Sequence, residues 1–468
     1  MALAMTPEAD SPESRRSPTR LPNPREVSGV LSLALPVVVV QVGMMAMGVV
    51  DTVMVGHYSA RDLAAVALGN LYFFTAIVFP MGLLMALDPL VSQAVGAGDH
   101  PAVGRALQRG WILAFLLGVP AAAALLPGEV VLGLLRQPRE VVPVAAGYAV
   151  AAIPGVFPFL AFVVFRQTLQ AMGRVAPIVV AIVLANVANL LFNWVLIFGK
   201  WGLPELGAVG SGWASSLSRW LMFLGLMVFS WPLLETHVRP LRREALHLRP
   251  LLRMVRLGSP IGVQFGLEYG AFGTTGLLMG WLGTVAMAGH QVALNLASLT
   301  FMVPLGISQA TAVLVGQGVG RGDSGGARRA AGAGLLLGMG FMAITAVVFI
   351  LLPGFVAKAY SSDERVLALA ATLIPLAGVF QVFDGLQVVA SGVLRGVGDT
   401  RSPVLLNLLG FWCIGIPVGV WLGFKASLGP RGLWWGLVLG LASVAVLLLL
   451  RVRGRLATEL TRVVVEEG

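Results

Sequence analysis

Long apolar runs, separated by short polar, glycine- or proline-bearing stretches, fill the chain from about residue 29 to residue 452. Runs of about 20 apolar residues match the hydrocarbon thickness of a bilayer, where only a structure that satisfies its own backbone can stand. The pattern predicts helices near 29–55, 63–93, 107–126, 141–164, 171–198 and 206–234. A second set follows near 255–285, 287–316, 328–353, 365–392, 400–424 and 430–452. The expected fold is an all-α polytopic membrane protein of about twelve transmembrane helices, six in each half. Composition agrees: 57% of the 468 residues are hydrophobic and 12% charged, whereas soluble domains carry about 25% charge.

The halves are copies of one another. The stretch 79–99 (FPMGLLMALDPLVSQAVGAGD) recurs as 303–323 (VPLGISQATAVLVGQGVGRGD), keeping Pro80/Pro304, Gly82/Gly306, Gln93/Gln317, Gly96/Gly320 and a closing Gly-Asp. The same offset pairs Pro36 with Pro260, Arg105 with Arg329 and Gly110 with Gly334. Because six spans is an even number, the second copy enters from the same side as the first. Two lobes related by a pseudo-two-fold axis along the membrane normal are therefore expected, an arrangement that suits a transporter with its path between the copies.

Charge changes the picture only in respect of topology. The net charge of +10 comes from arginines assigned to short loops, among them Arg105, Arg109, Arg166, Arg174, Arg321, Arg328, Arg395 and Arg401. Their bias to one side predicts that both termini are cytoplasmic, and no nucleic-acid partner is expected. The reading divides the chain into a disordered cytoplasmic tail (1–28), a first lobe (29–234), a basic linker (235–254), a second lobe (255–452) and a second cytoplasmic tail (453–468). The linker interleaves leucines with arginines, as either an amphipathic segment on the inner leaflet or a solvated connection. The single cysteine, Cys413, lies in a span and can form no internal disulfide.

Four acids fall inside predicted spans: Asp51, Asp88, Glu268 and Asp384. Each is costly at membrane depth and so is expected to face a bundle interior or wet cavity and to serve ions, protons or cargo. Asn186, Asn189 and Asn193 share one helix face and are the expected partners of Asp51; their alternative role is interhelical hydrogen bonding. In the second half Gln264 precedes Glu268 by one turn, Gln381, Asp384, Gln387 and Ser391 form a stripe, and Gln291, Asn295 and Ser298 form another. Asp88, before Pro89, fits helix packing or capping as well as an ionic role. His290 is expected to make a local hydrogen bond, His57 to be solvated, and Pro36 to bend the first span. Arg219 is the basic residue expected well inside a span. No phosphate-binding loop, zinc-protease motif or nucleophile elbow is present, so neither an enzyme nor a cofactor is expected.

Five stretches carry a family resemblance: MGVVDTVMVG around Asp51, MGLLMALDPLVSQAVGAGD around Asp88, NLLFNWVLIFGKWGLPELGAVGSG from Asn189, GHQVALNLASLTFMVPLG from Gly289, and FDGLQVVASGVLRGVGDT around Asp384. They resemble the multidrug and toxic compound extrusion (MATE) family, and its NorM-like branch in particular. The resemblance implies a twelve-helix antiporter of the bacterial inner membrane, exchanging Na⁺ or H⁺ for small organic, often cationic, drugs, and acting as a monomer among membrane lipid. It implies a cation or proton site at Asp51 with Asn189 and Asn193, and a second at Glu268 and Asp384, a pair usually lacking in the DinF-like branch. Asp88 stands where many NorM-like members carry an apolar residue. The alternative within the superfamily is a flippase for lipid-linked saccharides, which would want a more cationic cavity.

Overall fold

The computed structural model describes residues 23–240, 242–358 and 363–465. Among these, twelve helical spans follow in order: α1 (Pro24–Gly56), α2 (Ala60–Gly96), α3 (His100–Leu125), α4 (Val142–Ala171), α5 (Ala176–Ile197), α6 (Gly207–Val238), α7 (Leu248–Trp281), α8 (Thr284–Gly320), α9 (Ser324–Leu351), α10 (Glu364–Gly396), α11 (Arg401–Lys425) and α12 (Pro430–Ala457). Eleven are long and apolar enough to cross a membrane. The other, α7, is 34 residues long, but Gln264, Glu268 and its many glycines lower its apolarity. Each lobe has its own core, one built around α2–α6 and the other around α7–α12.

Several boundaries differ from the sequence reading, each for a local reason. The tail predicted over 1–28 gives way to helix at Pro24, because Asn23 and Glu26 form a reciprocal capping box and proline is tolerated at the first helical position; residues 1–22 lie outside the described residues. Span α2 is two helices, Ala60–Leu84 and Leu87–Gly96, broken at Met85–Ala86. Pro89, lacking an amide hydrogen, sits harmlessly in the first turn of the second piece. The linker is shorter than 235–254: α6 reaches Val238 and α7 starts at Leu248, since buried Leu251 and Met254 extend the helical pattern. What remains lies against α3. The Gln108 amide donates to the carbonyls of Val238 and Pro240, each at 3.1 Å, and accepts from the Arg242 amide at 2.9 Å. α1 passes through Pro36 as a single helix.

The lobes meet closely in the half of the molecule that holds Asn23 and Val465, the first and last described residues. There α2 crosses α8 in a reciprocal clasp. A methyl added to Gly96 would lie 2.2 Å from the carbonyl oxygen of Gln317, and one added to Gly320 would lie 2.0 Å from that of Gln93. The Gln93 amide donates across the interface to the Gly396 carbonyl at 2.8 Å, and the Gln317 amide to the Ala171 carbonyl at 2.9 Å. Backbones can approach this closely only where the side chain is a hydrogen, which is why the repeated glycines coincide with the crossing. Arg329 on α9 pairs with Glu26 on α1 at 2.6 Å. Further along, Phe74 on α2 meets Tyr269 on α7 at a centroid distance of 5.0 Å.

The segment after α12, expected as part of a cytoplasmic tail, folds back as a strap across this face. Arg462 pairs with Asp99 at 2.8 Å, the Val463 amide donates to the Gln93 side chain at 2.7 Å, and Arg253 of α7 donates to the Val465 carbonyl at 3.1 Å. Val465 is buried against the first lobe's core.

Candidate functional site: two acid clusters and a cavity between the lobes

Asp51 is buried between α1, α5 and α6. Its Oδ1 accepts from Asn189 at 3.1 Å and from Asn193 at 2.7 Å, while Oδ2 accepts from the Ser215 hydroxyl at 2.5 Å. Asparagines one turn apart on α5 thus deliver two donors to one carboxylate, as the sequence spacing implied. The amide oxygens of both asparagines are buried and accept nothing from the described residues. A half-turn of either amide would bring oxygen, a hard-cation donor, to the carboxylate, so the cluster can hold either a proton or a small bare cation. Asn186 does not join it. Its amide donates to the carbonyls of Gly43 and Ile182, both at 2.9 Å, and so ties α5 to α1. A residue three positions before Asn189 lies on the adjoining part of the helix face, and here that part meets backbone.

Two neighbours of Asp51 were not singled out by the sequence reading. Ser215 belongs to the run SGWASSLS, where Ser211 and Ser215 are one turn apart and both buried; that spacing was the available signal. Tyr148, fully buried, donates to the Asn70 side chain at 2.7 Å and lies within electrostatic reach of Asp51. Arg219 places its guanidinium 3.9 Å from the Phe73 ring centroid and also feels Asp51.

In the second lobe Glu268 Oε1 accepts from Gln264 at 3.2 Å and from Gln387 at 2.6 Å, while Gln387 also reaches Asn407 at 3.4 Å. Asp384 lies close enough to Glu268 for their charges to interact. Both acids line a cavity of about 560 Å³ between the lobes, whose wall is mostly apolar and includes the methionines and phenylalanines Met44, Met81, Phe272 and Phe301. Gln264, Gln387 and Ser391 share that wall; Gln291, Asn295 and Gln381 do not. Gln291 donates to Asn295 along the exposed side of α8, and Gln381 bridges Thr300 and Thr345 to hold α8, α9 and α10 together. Two of the three predicted stripes therefore split: Ser298 joins the cavity wall while Gln291 and Asn295 stay on the exposed side, and Gln381 serves packing while its stripe-mates line the cavity. His290 is buried with its ring edge against Trp434, centroids 5.7 Å apart, and neither nitrogen has a hydrogen-bond partner among the described residues. The local hydrogen bond expected of it is replaced by ring packing in an apolar setting.

Asp88 and the arginines correct the loop assignment. Helix α4 continues to Ala171 and α10 to Gly396, which draws Arg166 and Arg395 into the protein, both buried and both on the cavity wall. Asp88, buried in the first turn of the second piece of α2, accepts from Gln167 at 2.6 Å and feels both arginines. Arg219 is thus not alone among basic groups inside the spans. A shortage of cavity cations no longer separates a drug carrier from a carrier of lipid-linked saccharides.

The MatE family model matches residues 36–195 and 260–421, one copy in each lobe. The chain belongs to the MatE family. It is 36% identical over 436 residues to the multidrug resistance protein MdtK of Edwardsiella ictaluri, covering 92% of this chain and 95% of that one. The MdtK of Pectobacterium atrosepticum is equally similar over 441 residues, with the same coverage. Among solved structures, the eukaryotic MATE transporter AtDTX14 superposes with a TM-score of 0.85 at 24% identity, over 92% of this chain and 99% of that one. A multidrug resistance MATE family transporter in an outward-facing conformation gives 0.84 at 20% identity, over 95% and 97%. The two-lobed transporter fold is therefore common ground, and MatE members are transporters, not enzymes.

Proposed function

We propose that this protein is a secondary active multidrug efflux transporter of the inner membrane, exchanging Na⁺ or H⁺ for small organic, often cationic, drugs by alternating access. The observation that carries the reading is the placing of Glu268 and Asp384 on the wall of a roughly 560 Å³ cavity lined with aromatic and methionine side chains. That volume lies within the about 300–1,000 Å³ of drug-sized sites, and flexible thioethers accommodate ligands of varied shape. The multidrug resistance names of the MdtK relatives support the same reading.

An organic cation and a coupling ion would compete for the same negative charge. Entry of the ion neutralises a carboxylate, the cation loses its counter-charge, and release follows. One elementary charge crossing 100 mV supplies about 2.3 kcal/mol, enough to sustain accumulation of tens-fold in one-for-one exchange when the drug's own movement is electrically neutral. The clasp of α2 and α8, on the side of the expected cytoplasmic tails, would be the closed cytoplasmic gate, and lobe rotation would open it. Asp51 in its cage of two amides and a hydroxyl would be a second, cavity-independent coupling site, working as a monomer within the lipid. Everted vesicles carrying Glu268→Gln, Asp384→Asn or Asp51→Asn, assayed for ethidium uptake under separately clamped pH and Na⁺ gradients, test the reading. Loss of gradient-driven uptake is expected; wild-type uptake in all three variants would end the acid-based mechanism.

A further inference from the structure

The acids occupy only one part of the cavity wall. The part nearest the clasp carries the opposite charge: Arg166 on α4 and Arg395 on α10, 3% and 2% exposed, both line the cavity. Their local partners are neutral. Arg166 donates to Gln41 at 3.1 Å and lies 3.1 Å from the Met44 sulfur, while Arg395 donates to Ser308 at 3.3 Å and lies 4.0 Å from the Met85 sulfur. The Nε group of each arginine is buried and donates to nothing among the described residues. Asp88 feels both guanidinium groups while its Oδ1 is occupied by Gln167, and Glu268 also feels Arg395. Each guanidinium therefore keeps an unused buried donor, in a setting where polar groups without a partner are expensive.

The geometry points to an anion-binding subsite at Arg166 and Arg395, which takes the carboxylate of a zwitterionic organic substrate while the ammonium end of the same molecule faces Glu268 and Asp384. The spacing suits this. Gln387, which holds Glu268, and Arg395 lie eight residues apart on α10, about 12 Å of helix, and the same cavity reaches both. A guanidinium offers paired donors in the plane a carboxylate needs, so an unused Nε–H next to a terminal amine is the natural second half of a two-pronged contact. Met44, Met81 and Phe301 would hold the apolar body between the two poles.

The proposal rests on the drug-transport reading for its cargo but is read out by binding, so the two can fail separately. The purified full-length protein is titrated with a zwitterionic fluoroquinolone and with its methyl ester, which keeps the amine and removes the negative charge. The wild type should bind the free acid at least about tenfold more tightly than the ester, the yield of one charge-assisted contact. Arg166→Gln and Arg395→Gln should each bring that ratio toward one, and Arg395→Lys should restore part of it. Equal binding of acid and ester by the wild type, binding of neither, or a ratio that survives both glutamine variants would overturn the subsite. The wild-type comparison of acid with ester decides the matter even if an arginine variant fails to fold. Retention of the ratio together with absence of gradient-driven uptake would remove the transport reading and leave the subsite standing.

Discussion

Substituting Gly320 by alanine tests whether the clasp holds one face of the molecule shut. The added methyl would sit 2.0 Å from the Gln93 carbonyl oxygen, against the 3.4 Å at which ordinary van der Waals contact begins, so the backbones of α2 and α8 must part by about 1.4 Å. The obstacle is backbone carbonyl, which cannot rotate aside as a side-chain tip can. Overpacking of this kind costs about 1–3 kcal/mol, and charged only to the closed arrangement it shifts the open-to-closed ratio by about 5–150-fold. Ser92 reports on the change, being fully buried against Gly316. In a Cys413→Ser background, Ser92→Cys should be protected from a membrane-impermeant maleimide added at the face carrying the clasp. Adding Gly320→Ala should speed labelling by a factor in that range. An equal labelling rate in a Gly320→Ala protein that melts like its parent would refute the argument, because the methyl would then have been absorbed without parting the lobes.

Other outcomes follow from the same geometry. Asp51→Ala strands three buried donors at about 1–3 kcal/mol each and should lower Tm markedly, whereas Asp51→Asn can accept from Asn189 and Asn193 and donate to Ser215; thermal unfolding of the pair separates charge from shape. Asn186→Ala should cost about 0.6 kcal/mol and leave gradient-driven uptake within about twofold of wild type, as measured in vesicles, since Asn186 bonds to backbone and not to Asp51. Arg462→Ala removes a partly exposed ion pair worth about 0–1 kcal/mol, and its effect should be seen as faster hydrogen exchange at the Val463 amide with little change in Tm. Burial raises the Asp99 carboxyl, but Arg462, the Ala102 amide and Arg105 outweigh it and leave the group below its ordinary value of 3.8. A depressed folded value means that the stabilisation is complete above 3.8 and fades as pH falls through the lower folded value. The protection factor at Val463, its exchange relative to the intrinsic base-catalysed rate, should therefore be the same at pH 7 and pH 5, and a strap that loosens in that window would count against the Arg462–Asp99 pair.

The architecture was legible because membrane depth leaves few solutions: apolar runs of the right length must be helices, and a repeat of even span number must be parallel. The pairing of Asp51 with Asn189 and Asn193 was readable for a similar reason, since helical spacing fixes which side chains share a face. What the pattern could not supply was the third dimension between lobes. Asn186 and Gln381 carry the same polar signature as Asn193 and Gln387, and only packing decides that the first two bond to helices and the last two to acids. Arg166 and Arg395 were read as loop residues because arginines near span ends usually face water; the helices run on past them, and the crossing of the lobes encloses them. Ser215 escaped notice because serine is so often a neutral packing residue in membrane helices.

The clasp also records how the two halves relate. Gly96 meets Gln317 while Gly320 meets Gln93, and each glutamine reaches across to the other lobe's backbone. Position i touches j and j touches i, which is the signature of an isologous interface between identical subunits, here enclosed within one polypeptide. In a single-unit homodimer every substitution at such an axis is felt twice, so the contact can change only by changes that suit both sides at once. Away from the axis no such constraint acts, and after fusion Asp51 could stand opposite Thr275, and Glu268 opposite Met44. Symmetry was kept where the halves touch and given up at the buried acids.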